Sequence, residues 1–408
     1  MLYSRTIFKE IIKYFNSDDI LVIHGARQVG KTHILYLIQD YLKENKKKYF
    51  YIDLEDSRNL NILNKGVDEF RKYLSEQGFN FAGFSQKEKM FVLIDEIQYL
   101  DDPSSFLKLV ADHHKDLKLI VSGSSSFAIK NKFKNSLAGR TINFEAYPLS
   151  FEEFLVFKEY SGAAAIRENN LTDKTAKELI GLFKEYTLYG GYPKIVLENN
   201  VEMKEKYLQQ IIDTYIRKDI RDLANIKEIG KFNQMLEVLA SQSGCLLDIK
   251  ELSNTCKIAR QTVENYLFIL ENTYILKLVK PHHKNIRSEL FKTPKVFFYD
   301  SALMQMLWLK QLQKEIIGNV FETAVFGELV KKRGKDNVFY WRTADKKEID
   351  FILNIKNVLL AIEVKLNFER FDNTAIDYFC GKYKSDFRVV ALSGELKNKN
   401  YRHPWRIE

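Results

Sequence analysis

Apolar and polar positions along the chain change rhythm several times, and each rhythm predicts a different kind of element. In the first 150 residues short apolar runs stand apart from one another: ILVI at 20–23, YFYI at 49–52, FVLI at 91–94 and LKLIV at 117–121. Each is too short for a helix and each runs into a polar residue, as buried strands do. Such strands, separated by crossover helices, predict an open parallel sheet and an α/β fold. From 151 to about 225 the period is helical, as in FEEFLVFKEY (151–160) and EKYLQQIIDTYIRKDIRDL (205–223). Residues 248–281 predict a short helix with Leu252 inward, a turn, and a longer helix burying Val263, Tyr266, Leu267 and Leu270. A strand follows at 274–280, which completes a helix-turn-helix with a wing. The last region predicts a helix at 318–334, strands at 338–343, 349–355 and 358–366, a helix at 371–384 and a strand at 387–394. That order is αβββαβ. The expected divisions are therefore 1–150, 151–225, 226–300 and 301–408, within the two to four domains that 408 residues suggest at about 100–200 each.

Composition narrows the class. Hydrophobic residues make up 45% of the chain, enough for packed cores. Cys245, Cys256 and Cys380 are scattered and form no CxxC pair, so reduced thiols are expected rather than a disulfide framework or a zinc site. No apolar run reaches the ~18 residues of a membrane span, and the first residues lack the apolar core of a signal peptide. A cytoplasmic protein with no membrane role is expected. The net charge of +9 suits an anionic partner such as nucleic acid, although abundant Lys, Asn, Ile and Phe would also follow from an AT-rich genome. Residues 249–295 concentrate the excess, with nine Lys or Arg against four Glu.

The strongest chemical pattern is GARQVGKT, entered from the apolar strand at 20–23 and leading into a helix. This is the full GxxxxGK[ST] phosphate loop in its strand–loop–helix setting. The candidate nucleotide-binding segment is Gly25, Ala26, Arg27, Gln28, Val29, Gly30, Lys31, Thr32 and His33. The glycines let the backbone wrap a phosphate chain while loop N–H groups and the helix N-terminus point at it. Lys31 reaches the β- and γ-phosphates of ATP, and Thr32 binds Mg²⁺. In FVLIDEIQ, Asp95 and Glu96 end a buried strand: Asp95 is the expected Mg²⁺ ligand and Glu96 the group that orients or deprotonates water. Ser124, in VSGSSS, is the candidate for contact with the γ-phosphate.

GARQVGKT, LIDEIQ, VSGSSS, SLAGR followed by YPLSFEEFL, and GGYP (190–193) together resemble an AAA+-type ATPase family of archaea and bacteria. In that family a domain of unknown function follows the ATPase. The resemblance covers nearly the whole chain and departs at Ala26, where the family usually has Pro. It implies a helical lid after the ATPase core. Arg140 matches the arginine that reaches into a neighbouring subunit's site in such proteins, which would require a homo-oligomer; a surface ion pair is the alternative. Arg217 and Arg221 are sensor candidates by residue type alone, with solvated helix charges the alternative.

The helix-turn-helix offers Arg260, Gln261, Thr262 and Asn265 to a DNA groove, with Lys280, Lys284 and Arg287 as phosphate contacts. A packing module of the same shape is the competing reading. In the last region, Asp350 precedes AIEVKLN, where Glu363 and Lys365 stand two apart on one strand face. Asp350, Glu363-Val364-Lys365 and Glu322 on the preceding helix resemble the site of the PD-(D/E)XK nuclease superfamily, whose core is αβββαβ. Here Ile349 stands where the namesake motif has Pro. Asp350, Glu363 and Glu322 are hard oxygen ligands for Mg²⁺ or Mn²⁺, and Lys365 offsets charge at a reacting phosphate. Lys346 and Lys347 stand just before the second strand. The expectation is an ATPase that acts on DNA, with metal-dependent cleavage. The alternative is an ATP-dependent switch whose nuclease-like fold only binds.

Overall fold

The computed structural model of the chain describes residues 2–79, 89–124, 137–167, 171–220, 226, 228–282 and 293–407. They fall into two units, Met1–Tyr147 and Pro148–Glu408.

In the first unit the apolar runs become β1 Ile20–Gly25, β2 Tyr49–Asp53, β3 Met90–Asp95 and β4 Leu117–Ser124, joined by β5 Thr141–Ala146. All pairings are parallel and the order is β2-β3-β4-β1-β5. The sheet is buried against Phe70, Leu74, Phe106, Leu107 and Val110 from the crossover helices, which explains the unbroken apolar runs. The strand carrying the phosphate loop and the strand carrying Asp95 are not neighbours: β4 lies between them.

The second unit begins helically. Ser150 and Glu153 form a capping box, each side chain accepting the other's backbone N–H, and this starts the helix Phe151–Phe157. Much of the helical region is tied together by buried polar groups. Fully buried Glu328 accepts from the Phe151 N–H at 3.0 Å and from the Tyr186 hydroxyl at 2.6 Å. Lys331 donates to Leu149 O at 3.0 Å. Asp300 accepts from the Gly191 N–H at 2.8 Å and caps the helix Ser301–Leu309. Gly190 has φ 74°, and a Cβ there would lie 2.4 Å from Asp300 Oδ1. The YPLSFEEFL and GGYP motifs thus have a structural use.

The helix-turn-helix forms as Ile249–Cys256 and Arg260–Asn272, separated by a turn in which Lys257 takes φ 53°. β6 Leu276–Val279 and β7 Lys295–Phe298 pair antiparallel beside it. After the helix Gly318–Arg333 come β8 Val338–Arg342, β9 Glu348–Ile355 and β10 Val358–Asn367, then the helix Thr374–Tyr383 and β11 Asp386–Ser393. The αβββαβ order is present, with β12 Tyr401–Arg402 as an additional edge strand. β8, β9 and β10 run antiparallel, whereas β10, β11 and β12 run parallel. Among the described residues no helix is long and apolar enough to cross a membrane.

Candidate functional sites

The phosphate loop leaves β1 at Gly25, whose pairing with Ala146 of β5 brings backbone against its α-carbon. Ala26 and Val29 are fully buried, Arg27 is half-buried and Gln28 is exposed with φ 61°. Gly30 takes φ 92° immediately before the helix Lys31–Glu44, a conformation open to glycine at little cost. Lys31 lies across the loop, its Nζ donating to Ala26 O at 3.0 Å. Burial lowers its pKa, while the carboxylates of Glu96 and Asp95 oppose that shift. Thr32 is half-buried in the first turn, and His33 Nε2 lies 3.2 Å from Tyr3 O. Arg5 braces the loop from the chain's first segment: its buried guanidinium donates to Val29 O at 2.7 Å and Tyr147 O at 2.9 Å.

At the carboxyl end of β3, Asp95 is 2% exposed. It accepts from the Ser122 hydroxyl and from the Tyr51 hydroxyl, the latter at 3.2 Å. Ser122 Oγ also accepts from the Glu96 N–H at 3.3 Å. Glu96 breaks the strand with φ 55° and is held by Gln98. The intervening strand therefore meets the acidic pair through Ser122, a residue the motif reading passed over in favour of Ser124. The side chain of Ser124 lies outside the described residues. Strand position was the available signal, because Ser122 is the first polar residue after the apolar run.

Arg140 stands at the opposite, amino-terminal edge of the sheet, just before the Thr141–Ile20 pair. Six residues of strand at about 3.3 Å each separate that edge from the loop, roughly 20 Å. It is paired with Asp112 at 2.6 Å. Within one chain it does not reach the loop.

In the second unit, Arg260, Gln261 and Asn265 are exposed and Thr262 is half-buried. Arg260 pairs with Glu264 at 2.9 Å. Lys280 is exposed; Lys284, Arg287 and Arg221 lie outside the described residues, as does the Arg217 side chain. Lys295, counted above with the wing's charges, does not belong to a solvent-facing surface. It is 3% exposed and reaches Glu348 at 2.6 Å and Glu322 at 3.6 Å. Burial works against its charge, but Glu322, Asp350 and Glu348 outweigh that and hold its pKa above the usual lysine range.

Lys295 thereby joins the group singled out in AIEVKLN. The β9–β10 ladder runs to the Phe351–Ile362 pair. One step further, the Asp350 carboxylate accepts from the Val364 N–H at 2.8 Å. Lys365 Nζ lies 2.5 Å from Glu363 and 3.4 Å from Asp350. Burial, then the charge of Asp350, pushes the Glu363 carboxyl above its ordinary range, with Lys365 opposing. Glu322 is raised by the same two causes, with Lys295 and Lys365 opposing. Asp350, Glu363, Lys365 and Glu322 are thus brought together. Lys346 is exposed with φ 64°, and Lys347 lies over the Tyr378 ring at 4.5 Å.

Residues 17–155 match the model of an AAA domain. Residues 180–315 and 317–402 match two models described as domains of unknown function, DUF8612 and DUF4143. The chain joins an AAA domain to a C-terminal DUF4143 domain. An uncharacterized protein of Haemophilus influenzae is 26% identical over 404 residues, covering 97% of this chain and 94% of its own length. Another, from Methanocaldococcus jannaschii, is 27% identical over 380 residues, covering 86% and 80%. The Walker-type ATPase of Pyrococcus abyssi aligns at 17% identity and TM-score 0.46, over 75% of this chain and 95% of that one. The AAA domain accounts for the parallel sheet and its phosphate loop, and the relatives are archaeal and bacterial, as the motif series implied.

Proposed function

We propose that the protein binds and hydrolyses ATP in its AAA domain and uses this cycle to handle nucleic acid, with the Asp350–Glu363 group as a second, divalent-metal site that cleaves a strand. The carrying observation is the convergence of Lys31, Asp95, Glu96 and Ser122 at one sheet edge. Thr32 and Asp95 fit Mg²⁺ as hard oxygen ligands beside a lysine. The ion supplies charge neutralisation at the β- and γ-phosphates when bound. Lys31 holds the phosphates, Glu96 orients water or takes its proton, and Ser122 holds Asp95 in place. Ser124 remains the candidate for γ-phosphate contact. Arg140 would act on a neighbouring subunit of a homo-oligomer in the cytoplasm, since its own loop is out of reach.

In the second unit Asp350 and Glu363, bridged by Lys365, offer two hard oxygen donors to Mg²⁺ or Mn²⁺; among the described residues no three ligating side chains gather around one ion, so Glu322 is not counted as a ligand in this arrangement. The exposed Arg260, Gln261 and Asn265 favour DNA as the partner. A second reading, a switch that binds nucleic acid and cuts nothing, is favoured by one observation: Lys295 already spans Glu322 and Glu348. ATP turnover with and without single-stranded, duplex and branched DNA tests the first part, and Lys31→Ala should remove most of it. Cleavage in Mg²⁺ or Mn²⁺, lost in Asp350→Ala and Glu363→Ala with ATP turnover retained, separates the two readings.

A further inference from the structure

On the other side of the C-terminal sheet, two arginines face an unanswered electrostatic problem. β11 and β12 pair in parallel, Val389 with Tyr401 and Val390 with Arg402. Arg388 is two residues before Val390, so Arg388 and Arg402 project from the same face of neighbouring strands. β12 is the sheet's edge strand. Both side chains are half-buried. Neither is paired with a carboxylate among the described residues. Arg388 Nη1 donates to Phe387 O at 2.7 Å and Arg402 Nη1 to Tyr401 O at 3.2 Å, each only to its neighbour's backbone. Arg388 Nε is buried with no partner among the described residues. Arg406 adds a third positive charge from the turn closed by its N–H on His403 O at 2.9 Å. Burial, followed by Arg388 and Arg406, lowers the Arg402 pKa.

Like charges held together and partly desolvated are unfavourable, and so is a buried N–H without an acceptor. Here the backbone holds them in place. β12 fixes Arg402, and Lys332 Nζ on Trp405 O at 2.9 Å anchors the segment that carries Arg406. The guanidinium forks of Arg388 and Arg402, held in place with spare donors, match a group having several acceptor oxygens and at least one negative charge.

We infer that Arg388 and Arg402, with Arg406 beside them, form a phosphoryl-binding site at the β11–β12 edge. The site is separate from the Asp350–Glu363 group. In the β10–β11 register, Glu363 pairs with Val389 and Arg388 with Ile362, so Glu363 and Arg388 project from opposite faces of the sheet. The phosphoryl group belongs either to a nucleic-acid strand or to free phosphate.

The test uses the full chain carrying Lys31→Ala, which removes the phosphate loop's own contribution, with and without Arg388→Gln plus Arg402→Gln. Calorimetric titration with inorganic phosphate at constant ionic strength should show binding that weakens at least tenfold in the double Gln variant. The double Lys variant keeps the charge but loses the forks, and should fold normally with intermediate affinity. A 5′-phosphorylated oligonucleotide that binds at least tenfold more tightly than inorganic phosphate, with the gain lost in the double Gln variant, assigns the site to a strand; equal affinities assign it to free phosphate. No phosphate binding in the Lys31→Ala chain, or equal affinity with and without both arginines, overturns the inference. These results are independent of ATP turnover and of metal-dependent cleavage.

Discussion

Replacing Gly25 with Ala puts the geometry of the phosphate loop to a direct test. An ideal Cβ there would lie 2.0 Å from Ala146 O, 3.0 Å from Ala146 C and 3.2 Å from Ala146 Cβ. The obstacle is mainly backbone of the adjacent strand, held in register by β1–β5 pairing, so no rotamer change relieves it. Reaching an ordinary contact from 2.0 Å needs a displacement of about 1.4 Å, in the range where overpacking costs about 1–3 kcal/mol. A domain is stable by about 5–15 kcal/mol, so this is a sizeable but survivable loss. The functional cost is larger. The displaced residue begins the loop that ends in Lys31, and misplacing a site by about 1 Å can reduce turnover on the order of 100-fold. Urea unfolding should show a lower midpoint with the slope unchanged. Titration with a fluorescent ATP analogue should show weakened binding, and turnover should fall further than affinity. An unfolding midpoint and nucleotide affinity both equal to the parent's would refute the argument that close approach of β5 is why glycine stands there.

Ser122→Ala removes the hydroxyl held between Asp95 and the Glu96 N–H; ATP turnover should drop about tenfold with nucleotide affinity nearly intact, and unchanged turnover would reduce Ser122 to packing. Lys295→Met leaves Glu322 and Glu348 without their shared cation and should cost about 3–5 kcal/mol in denaturant unfolding, with Arg342, 2.9 Å from Glu348, recovering part of it. Lys295→Arg should recover most of the stability, and a Met variant as stable as the parent would show that the cluster does not need the lysine. Arg140→Ala should abolish any rise of ATP turnover with protein concentration while sparing nucleotide affinity; turnover that is independent of concentration in the parent would remove the case for action in trans.

What the sequence made legible and what it hid divide along one physical line. The phosphate loop is contiguous, and its strand, glycines, lysine and helix are set by local geometry, so GARQVGKT could be read directly. The C-terminal strands were equally readable from their apolar runs. Relations across the sheet were not. Nothing local reveals that β4 lies between β1 and β3, and so the contact of Ser122 with Asp95 could not be read in advance. Lys295 is a basic residue in a basic stretch until β7 places it against Glu348, fifty-three residues later. The Arg388–Arg402 pair exists only because a two-residue strand, with too little sequence to show a period, aligns with β11.

Glu328 carries a practical consequence for anyone dividing this protein. The family model at its C-terminus spans 317–402, a natural length to express alone. Such a fragment would contain Glu328 and Lys331 but neither the Phe151 N–H nor the Tyr186 hydroxyl that Glu328 holds, and it would lack Lys295 as well. A carboxylate whose Oε1 is held by those two donors in a dry place would meet solvent or an apolar surface instead. The fragment should be insoluble or loosely packed, whereas a cut at the Tyr147–Pro148 boundary leaves every one of those partners on the same side. The C-terminal αβββαβ region therefore depends on the helices before it, and substitutions at Tyr186 or Phe151 should destabilise it as substitutions within the C-terminal sheet do.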